Sequence, residues 1–365
     1  MAGVYISYPF CAQKCTYCNF ASGVLPRELE GDYLVALREE IAACNWPWQP
    51  ETVYLGGGTP SRMDPADLQR ILNAVPGRPW REGTLEVAPG GLTNERASAW
   101  VRAGINRVSL GVQSFVQREL ARTGRKHTAE VVESEIATLR RAGIENINVD
   151  LIAGLPGQTP ASWRESLSWI EKLAPPHVSV YMLEIDEDSR LGSEVLLNGK
   201  RYGAPEIPSD ELIAELYEKA VTELARLGIR RYEISNFALP GFESLHNLKY
   251  WRLESYLGFG ADAHSFDGAA RFENVESAKD YVDRFRARQS PRLPALAANR
   301  DEERFFVGLR LSDGIQPEPA EWARYQEPID RFVAEGLLER DGGRLRLTDR
   351  GVLVSNEVFA EFIQA

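Results

Sequence analysis

Short apolar runs alternate with amphipathic stretches through the first half of the chain. The runs VYISY (4–8), TVYLGG (52–57), LEVA (85–88), RVSLGVQ (107–113), INVDLIAG (147–154) and VSVYMLEI (178–185) are rich in Val, Ile, Leu and Tyr and predict strands. Between them, apolar residues recur at helical spacing over 28–44, 64–75, 94–103, 128–142 and 160–173. Asp64 followed by Pro65 predicts an N-cap and a first helical residue. Gly after Ala or Leu at 103–104, 142–143 and 227–228 predicts helix stops. Strands alternating with helices imply a parallel sheet with right-handed crossovers. Six units are too few for the complete eight-unit barrel. The expected fold is therefore α/β, an incomplete, open (β/α)6 barrel over residues 1–208.

The pattern changes after the sixth strand. Residues 186–208 read as a loop insertion, and 209–228 as a strong helix with Ser209 as N-cap. Residues 230–276 mix strands with Gly-rich turns. From about 300, helices lead into GLLERDGGRLRLTDRG, a hairpin turning at Asp341–Gly342–Gly343 before a terminal helix. A C-terminal α+β region is expected, with a mixed segment over 209–299 and a winged-helix-like module over 300–365. The chain is 44% hydrophobic with a net charge of −11, so it has no general electrostatic pull toward nucleic acid or anionic membranes. The module is accordingly expected to pack rather than to bind DNA. No run of 18 apolar residues is present, and no signal-like segment precedes VYI, so a reducing cytoplasm is the expected location, with peripheral membrane contact left open.

Three of the four cysteines, Cys11, Cys15 and Cys18, lie in YPFCAQKCTYCNF, spaced C-x3-C-x2-C. Cys44 stands alone at the end of a predicted helix and reads as a small buried apolar residue. A thioredoxin-like pair would not use Cys11, and a structural zinc would lack a nearby fourth ligand. Iron–sulfur clusters are held by thiolates, and three of them leave one iron of a cubane open. This spacing, with Tyr17 before the last cysteine, resembles the radical S-adenosylmethionine (SAM) superfamily. The resemblance implies a 4Fe–4S cluster on the triplet, with SAM at its open iron.

Ligands in open α/β folds sit at the carboxyl ends of the strands. There the chain places GGGTP (56–60), Glu86, Gln113, Arg125 and Asp150. Period-2 alternation puts Glu86 opposite Leu85 and Val87, and Asp150 opposite Val149 and Leu151. Charges are seldom fully buried without a partner, so a shared polar ligand is one explanation. A structural Asp–Arg pair is the other, and GGGTP alone could be a tight turn.

Taken together, YISYPFC, GGGTP, LEVAP, SLGVQSF, GRKH, NVDLIAGLPGQT and HNLKYW resemble the oxygen-independent coproporphyrinogen III oxidase family and its sister group, the HemW-type heme chaperones. The resemblance runs from residue 4 to the terminal helix. It implies SAM contacts at Tyr5, Gly57, Gly58, Thr59, Glu86, Gln113, Arg125 and Asp150, with Tyr17 beside them. The oxidases carry a fourth cysteine two residues past the third, where this chain has Phe20, and a longer arm before the first cysteine. The chaperones carry H-N-x-x-Y-W, here His246, Asn247, Tyr250 and Trp251.

Heme iron commonly takes an imidazole, and flat aromatic faces suit a porphyrin. That context makes His246 the candidate heme ligand, with Asn247, Tyr250 and Trp251 beside it. A satisfied core histidine is the alternative. His264 is the competing ligand, His127 lies by the expected SAM site, and His177 reads as structural. The resemblance thus implies a heme chaperone that transfers heme to recipient hemoproteins, with porphyrinogen decarboxylation not expected. An oxygen-independent coproporphyrinogen III oxidase is the runner-up, and a SAM enzyme of another tetrapyrrole the third reading.

Overall fold

In the computed structural model, residues 2–363 are described. Six parallel strands lie side by side in chain order: β1 (Ala2–Tyr8), β2 (Pro50–Gly57), β3 (Glu82–Val87), β4 (Arg107–Gln113), β5 (Asn146–Ala153) and β6 (His177–Met182). Helices Arg27–Ala43, Pro65–Asn73, Asn94–Arg102, Ala129–Arg141 and Pro160–Leu173 connect them. Asp64 accepts from Ala66 N–H at 2.8 Å, and Ser209 caps helix Asp210–Arg226 through Leu212 N–H. That last helix packs on Pro160–Leu173 and on β6, where Trp163 donates to the Leu216 carbonyl at 2.7 Å. It stands beside Pro160–Leu173 as the next helix along the barrel wall.

The segment 209–299 also extends the same sheet at both edges. Antiparallel β8 (Asn236–Ala238) pairs with β6 and in turn with β7 (Arg230–Arg231). At the opposite edge β9 (Tyr256–Phe259) pairs parallel with β1, followed by β10 (His264–Phe266), β11 (Ala270–Glu273) and β12 (Leu296–Ala297). Residues 186–208, expected as loop, hold helix Arg190–Leu196 and a 3-10 stretch, Arg201–Glu206. A further helix, Gln117–Thr123, fills the loop after β4. Near the C-terminus β13 (Leu338–Asp341) and β14 (Arg344–Leu347) form the expected hairpin, with Gly342 and Gly343 at φ +55° and +86°. Mirror-image two-residue turns demand such angles, and glycine meets them without strain.

The two faces of the barrel wall differ sharply. Val4, Ile6, Val53, Leu55, Leu85, Val108, Leu110, Ile147, Val149, Val178 and Val180 are fully buried under the helices. By strand alternation and register, the inner face presents Gly3, Tyr5 and Ser7, then Thr52, Tyr54 and Gly56, then Glu82, Thr84 and Glu86. It continues with Arg107, Ser109, Gly111, Asn148, Asp150, His177 and Ser179. None of these is aliphatic. Buried polar groups of this density must be satisfied by one another or by a ligand.

Candidate functional site

The cysteine loop is built onto the carboxyl end of β1. Cys11 N–H donates to the Gly23 carbonyl (2.8 Å) and Gly23 N–H to the Pro9 carbonyl (2.9 Å), which closes the loop on itself. The glycine turn after β2 lies directly against it. Gly58 N–H donates to the Tyr8 carbonyl at 2.8 Å, and Thr59 N–H to the Phe10 carbonyl at 3.0 Å. A Cβ on Gly58 would come within 2.8–2.9 Å of backbone atoms of residues 8–10, so only glycine allows this approach.

Two elements not foreseen from the sequence hold the far side of the loop. From helix Gln117–Thr123 and the turn after it, the Thr123 and Gly124 carbonyls accept from Thr16 N–H (3.3 Å) and the Gln13 amide (2.6 Å). From the 186–208 segment, Leu191 N–H donates to the Thr16 carbonyl (2.7 Å), and Asp186 accepts from Asn19 (2.7 Å).

Cys11, Cys15 and Cys18 are free thiols, each half-buried on this loop. Burial, reinforced by Cys15 and Cys11, pushes the Cys18 thiol above its ordinary range. Among the described residues no three His, Cys, Asp or Glu side chains are gathered for a single metal ion. The donor set fits an iron–sulfur cluster nonetheless: three thiols share one loop, and a cation faces them. Arg125 Nη2 donates to Tyr17 Oη (3.3 Å). Burial opposes its charge, yet Tyr17, Cys15 and Asp150 together hold its proton more firmly than usual. Its Nε is buried without a partner, a donor directed at nothing the protein supplies. Cys44 follows the last turn of helix Arg27–Ala43 and packs on the core, half-buried where full burial was expected.

The inner wall below carries the remaining expected contacts. Glycine at 111 leaves room in which the Gln113 amide and the Arg125 guanidinium meet: a Cβ there would lie 3.1 Å from Gln113 Nε2 and 3.4 Å from Arg125 Nη2. Gln113 itself sits at φ +73°, after a register shift that ends β4. Glycine at 56 likewise makes space for Glu86 and Tyr5, 3.0 and 3.1 Å from a Cβ built there. Tyr54 Oη donates to Glu86 at 2.9 Å. Burial pushes the Glu86 carboxyl up to about 7, against the Tyr54 bond and with Asp150 adding to it. Asp150, also raised by burial, is held by the Asn148 amide (2.7 Å) and Ser109 (3.3 Å). No direct Asp150–Arg125 ion pair forms among the described residues, though Asp150 adds to the field that holds the Arg125 proton.

The histidines separate clearly. His177 is fully buried, with Nδ1 on Asn148 (2.6 Å) and Nε2 on Tyr232 (2.9 Å), the structural role expected of it. His127 lies beside Arg125; burial, helped by Arg125, lowers it to about 4, and its Nε2 has no partner. His264 is exposed on β10, 3.3 Å from Glu273.

His246, the expected iron ligand, is 1% exposed. Its Nδ1 bonds Thr52 Oγ1 and its Nε2 bonds Tyr250 Oη, each at 2.8 Å. Both ring nitrogens are thus hydrogen-bonded within the chain, the geometry of the core-histidine alternative. Helix Leu245–Trp251 is anchored by Glu82, which accepts from Leu245 N–H (2.8 Å) and His246 N–H (3.0 Å). Tyr250, four residues on, shares the face of His246. Asn247 is half-buried in the first turn, its N–H bonded to Ser244. Trp251 points the other way, under Arg310 at 4.4 Å, and borders a cleft of about 520 Å³ shared with Arg252, Arg300, Arg304 and Ile315.

The missed residues Ser109, Asn148 and Ser179 form the polar network under Asp150, and Arg107 adds its charge beside it. Asn148 was readable, since it precedes Asp150 by one strand period on the same face.

Comparisons with known proteins agree with this geometry. Residues 5–170 match the family model "Radical SAM superfamily", and residues 297–354 match "HemN C-terminal domain". A Lactococcus lactis protein named heme chaperone HemW is 34% identical over 98% of this chain and 96% of its own. A Bacillus subtilis protein of the same name is 33% identical over 100% and 99%. A solved structure, coproporphyrinogen III oxidase (HemN) from Escherichia coli, superposes with a TM-score of 0.85 over 99% of this chain and 89% of that one. At 22% identity it speaks for the fold alone.

Proposed function

The chain belongs to the radical SAM superfamily and, within it, to the HemW heme chaperone family, and from that premise we propose that it binds heme and transfers it to recipient hemoproteins. Membership implies a 4Fe–4S cluster and SAM. Cys11, Cys15 and Cys18 would hold the cluster, which supplies one iron open to a further ligand. Gly57, Gly58 and Thr59 would offer backbone to SAM at close range, Glu86 and Asp150 would accept from ribose hydroxyls, and Arg125 and Gln113 would take its carboxylate. Tyr5 and Tyr17 complete the walls.

The observation that carries the chaperone reading is the end-to-end similarity to heme chaperones. Phe20, 65% exposed where the oxidases have a fourth cysteine, agrees with it. No helix among the described residues is long and apolar enough to cross a membrane.

For heme itself the favoured place is the cleft bordered by Trp251. Its volume lies in the range of about 300–1,000 Å³ usual for ligand pockets. Trp251 offers an aromatic face, and Arg252 and Arg300 suit propionates, although Asp301, Glu318 and Glu321 share the walls. Trp251→Ala should weaken heme binding by about three- to tenfold and leave the spectral type unchanged. Anaerobic reconstitution with iron and sulfide, then heme titration with and without SAM, tests the whole reading. Stoichiometric uptake without conversion of coproporphyrinogen is expected. A protein that takes up no heme yet decarboxylates coproporphyrinogen would be the oxidase instead.

The raised Glu86 carboxyl gives a second check. SAM's hydroxyls need the ionised carboxylate, while the empty pocket keeps its proton up to about pH 7. Below that pH binding must expel a proton, so SAM affinity should rise with pH through about 7 and then level off. Equilibrium binding from pH 6 to 8 measures it. Glu86→Gln should flatten the curve.

A further inference from the structure

We propose that His246 is a positioning residue for the SAM pocket, acting through the Tyr54 ring on the carboxylate of Glu86. The inference rests on the SAM part of the proposed function and not on the heme part. Four observations carry it. The His246 ring stacks on Tyr54, with centroids 5.3 Å apart and planes inclined by 30°. The Tyr54 hydroxyl donates to Glu86 at 2.9 Å, and Tyr5 also stacks on Tyr54, with centroids 6.1 Å apart. The imidazole is locked at both nitrogens, to Thr52 and to Tyr250. Finally, β1 presses on it: a Cβ at Gly3 would sit 3.0 Å from His246 Cε1, so the ring has no room to tilt.

These contacts form a column along the inner wall. Gly3, Thr52 and His246 make its floor, Tyr5 and Tyr54 the middle, Gly56 and Glu86 the top. Thr52, Tyr54 and Gly56 are alternate residues of β2, so one strand carries the floor, the middle and the top in register. Removing the imidazole would leave a void under Tyr54, and the ring would be free to sink away from Glu86. The carboxylate would then lose the donor that aims it at the pocket. Burial lowers His246 to about 3, so it stays a neutral spacer and hydrogen-bonding partner across the physiological range. The same geometry accounts for the spacing of the motif: Tyr250 at i+4 falls on the His246 face and closes the floor, whereas Trp251 at i+5 turns to the cleft.

The test is a double-mutant cycle on cluster-loaded protein, read as SAM affinity, with the heme absorption spectrum recorded alongside. His246→Ala and Tyr54→Phe should each weaken SAM by about tenfold, and the double mutant should be little weaker than either. His246→Gln, which keeps a planar group and one hydrogen bond, should recover most of the loss. The heme spectrum should stay of the wild-type kind in all of them. A merely structural histidine would instead give losses that multiply in the cycle, and that outcome overturns the proposal. So does unchanged SAM affinity in His246→Ala, or a His246→Gln protein whose heme spectrum shifts while SAM binding stays normal, which would make it an iron ligand. If His246→Ala does not fold, the cycle is run with His246→Gln. Wild-type protein that binds SAM but no heme would defeat the chaperone reading and leave this inference standing. Wild-type protein that binds no SAM would defeat both.

Discussion

Cys15→Ala protein, reconstituted anaerobically with iron and sulfide, should contain almost no cluster. Two thiolates on one loop cannot hold a cubane against loss of its third protein ligand. Cys15 is also the member of the triplet in electrostatic contact with both Tyr17 and Arg125, so its replacement strips the loop of the group the cation faces. Cys44→Ala should keep wild-type iron and sulfide, because Cys44 lies at the end of helix Arg27–Ala43, packed on the core. The loop should survive in the Cys15 variant, since its backbone bonds to Gly23, Thr123 and Leu191 involve no thiol. Iron and sulfide analysis decides the matter. Cluster retained in the Cys15 variant, or lost in the Cys44 variant, would mean that the ligands are wrongly assigned.

The second large effect is expected from Arg125→Ala. Its guanidinium has an unpartnered buried Nε and stands where Gln113, Tyr17 and the cysteine loop meet. A charge-assisted hydrogen bond is worth about 1.5–3 kcal/mol, so SAM affinity should fall roughly ten- to a hundredfold. Asp150→Ala should lose a similar amount. The cluster should remain in both, since neither residue is a thiolate. Arg125→Lys should recover little, because an ammonium cannot reproduce a planar two-pronged donor. Equilibrium SAM binding to cluster-loaded protein measures this, and wild-type affinity in both alanine variants would show the pocket to be wrongly drawn.

Much of this was legible in the chain. The strand Arg107–Gln113 and the helix Pro160–Leu173 begin and end where periodicity places them. The inward direction of Glu86 and Asp150 follows from alternation alone. The sixth strand was read three residues too long, because its partner β5 stops at Ala153 and a strand ends with its ladder: Leu183 N–H reaches the Ala153 carbonyl and the chain then turns off. Helix Gln117–Thr123 is seven residues long with no side-chain cap, too short to show a period; its one signal is Gly124, which ends it at φ +84°. The edge strands β7 to β11, of two to four residues, were legible only as an unresolved mixture of strands and turns over 230–276. The surroundings of His246 were not legible for a different reason. The motif named its neighbours along the chain, whereas its ring bonds Thr52 and stacks on Tyr54, almost two hundred residues away, and only Tyr250 at i+4 hinted at where the ring points.

The pairing of β1 with β9 has a consequence for how the chain is made. Residues 3–6 meet residues 256–259, so β1 cannot cover its outer edge until about 250 more residues have followed. At synthesis rates of about 5–20 residues per second, that is roughly 12–50 s with a row of unpaired backbone groups exposed. The inner edge of β1 is matched far sooner, by β2, and that early pairing carries the cysteine loop with it. The nascent chain thus presents its three thiols on a half-finished sheet, open to oxygen and to other strands, well before the floor beneath Tyr54 arrives with His246. Early shelter by a chaperone, or cluster delivery only after release, would answer the same hazard, and ribosome-bound chains halted between residues 60 and 260 are where it would be greatest.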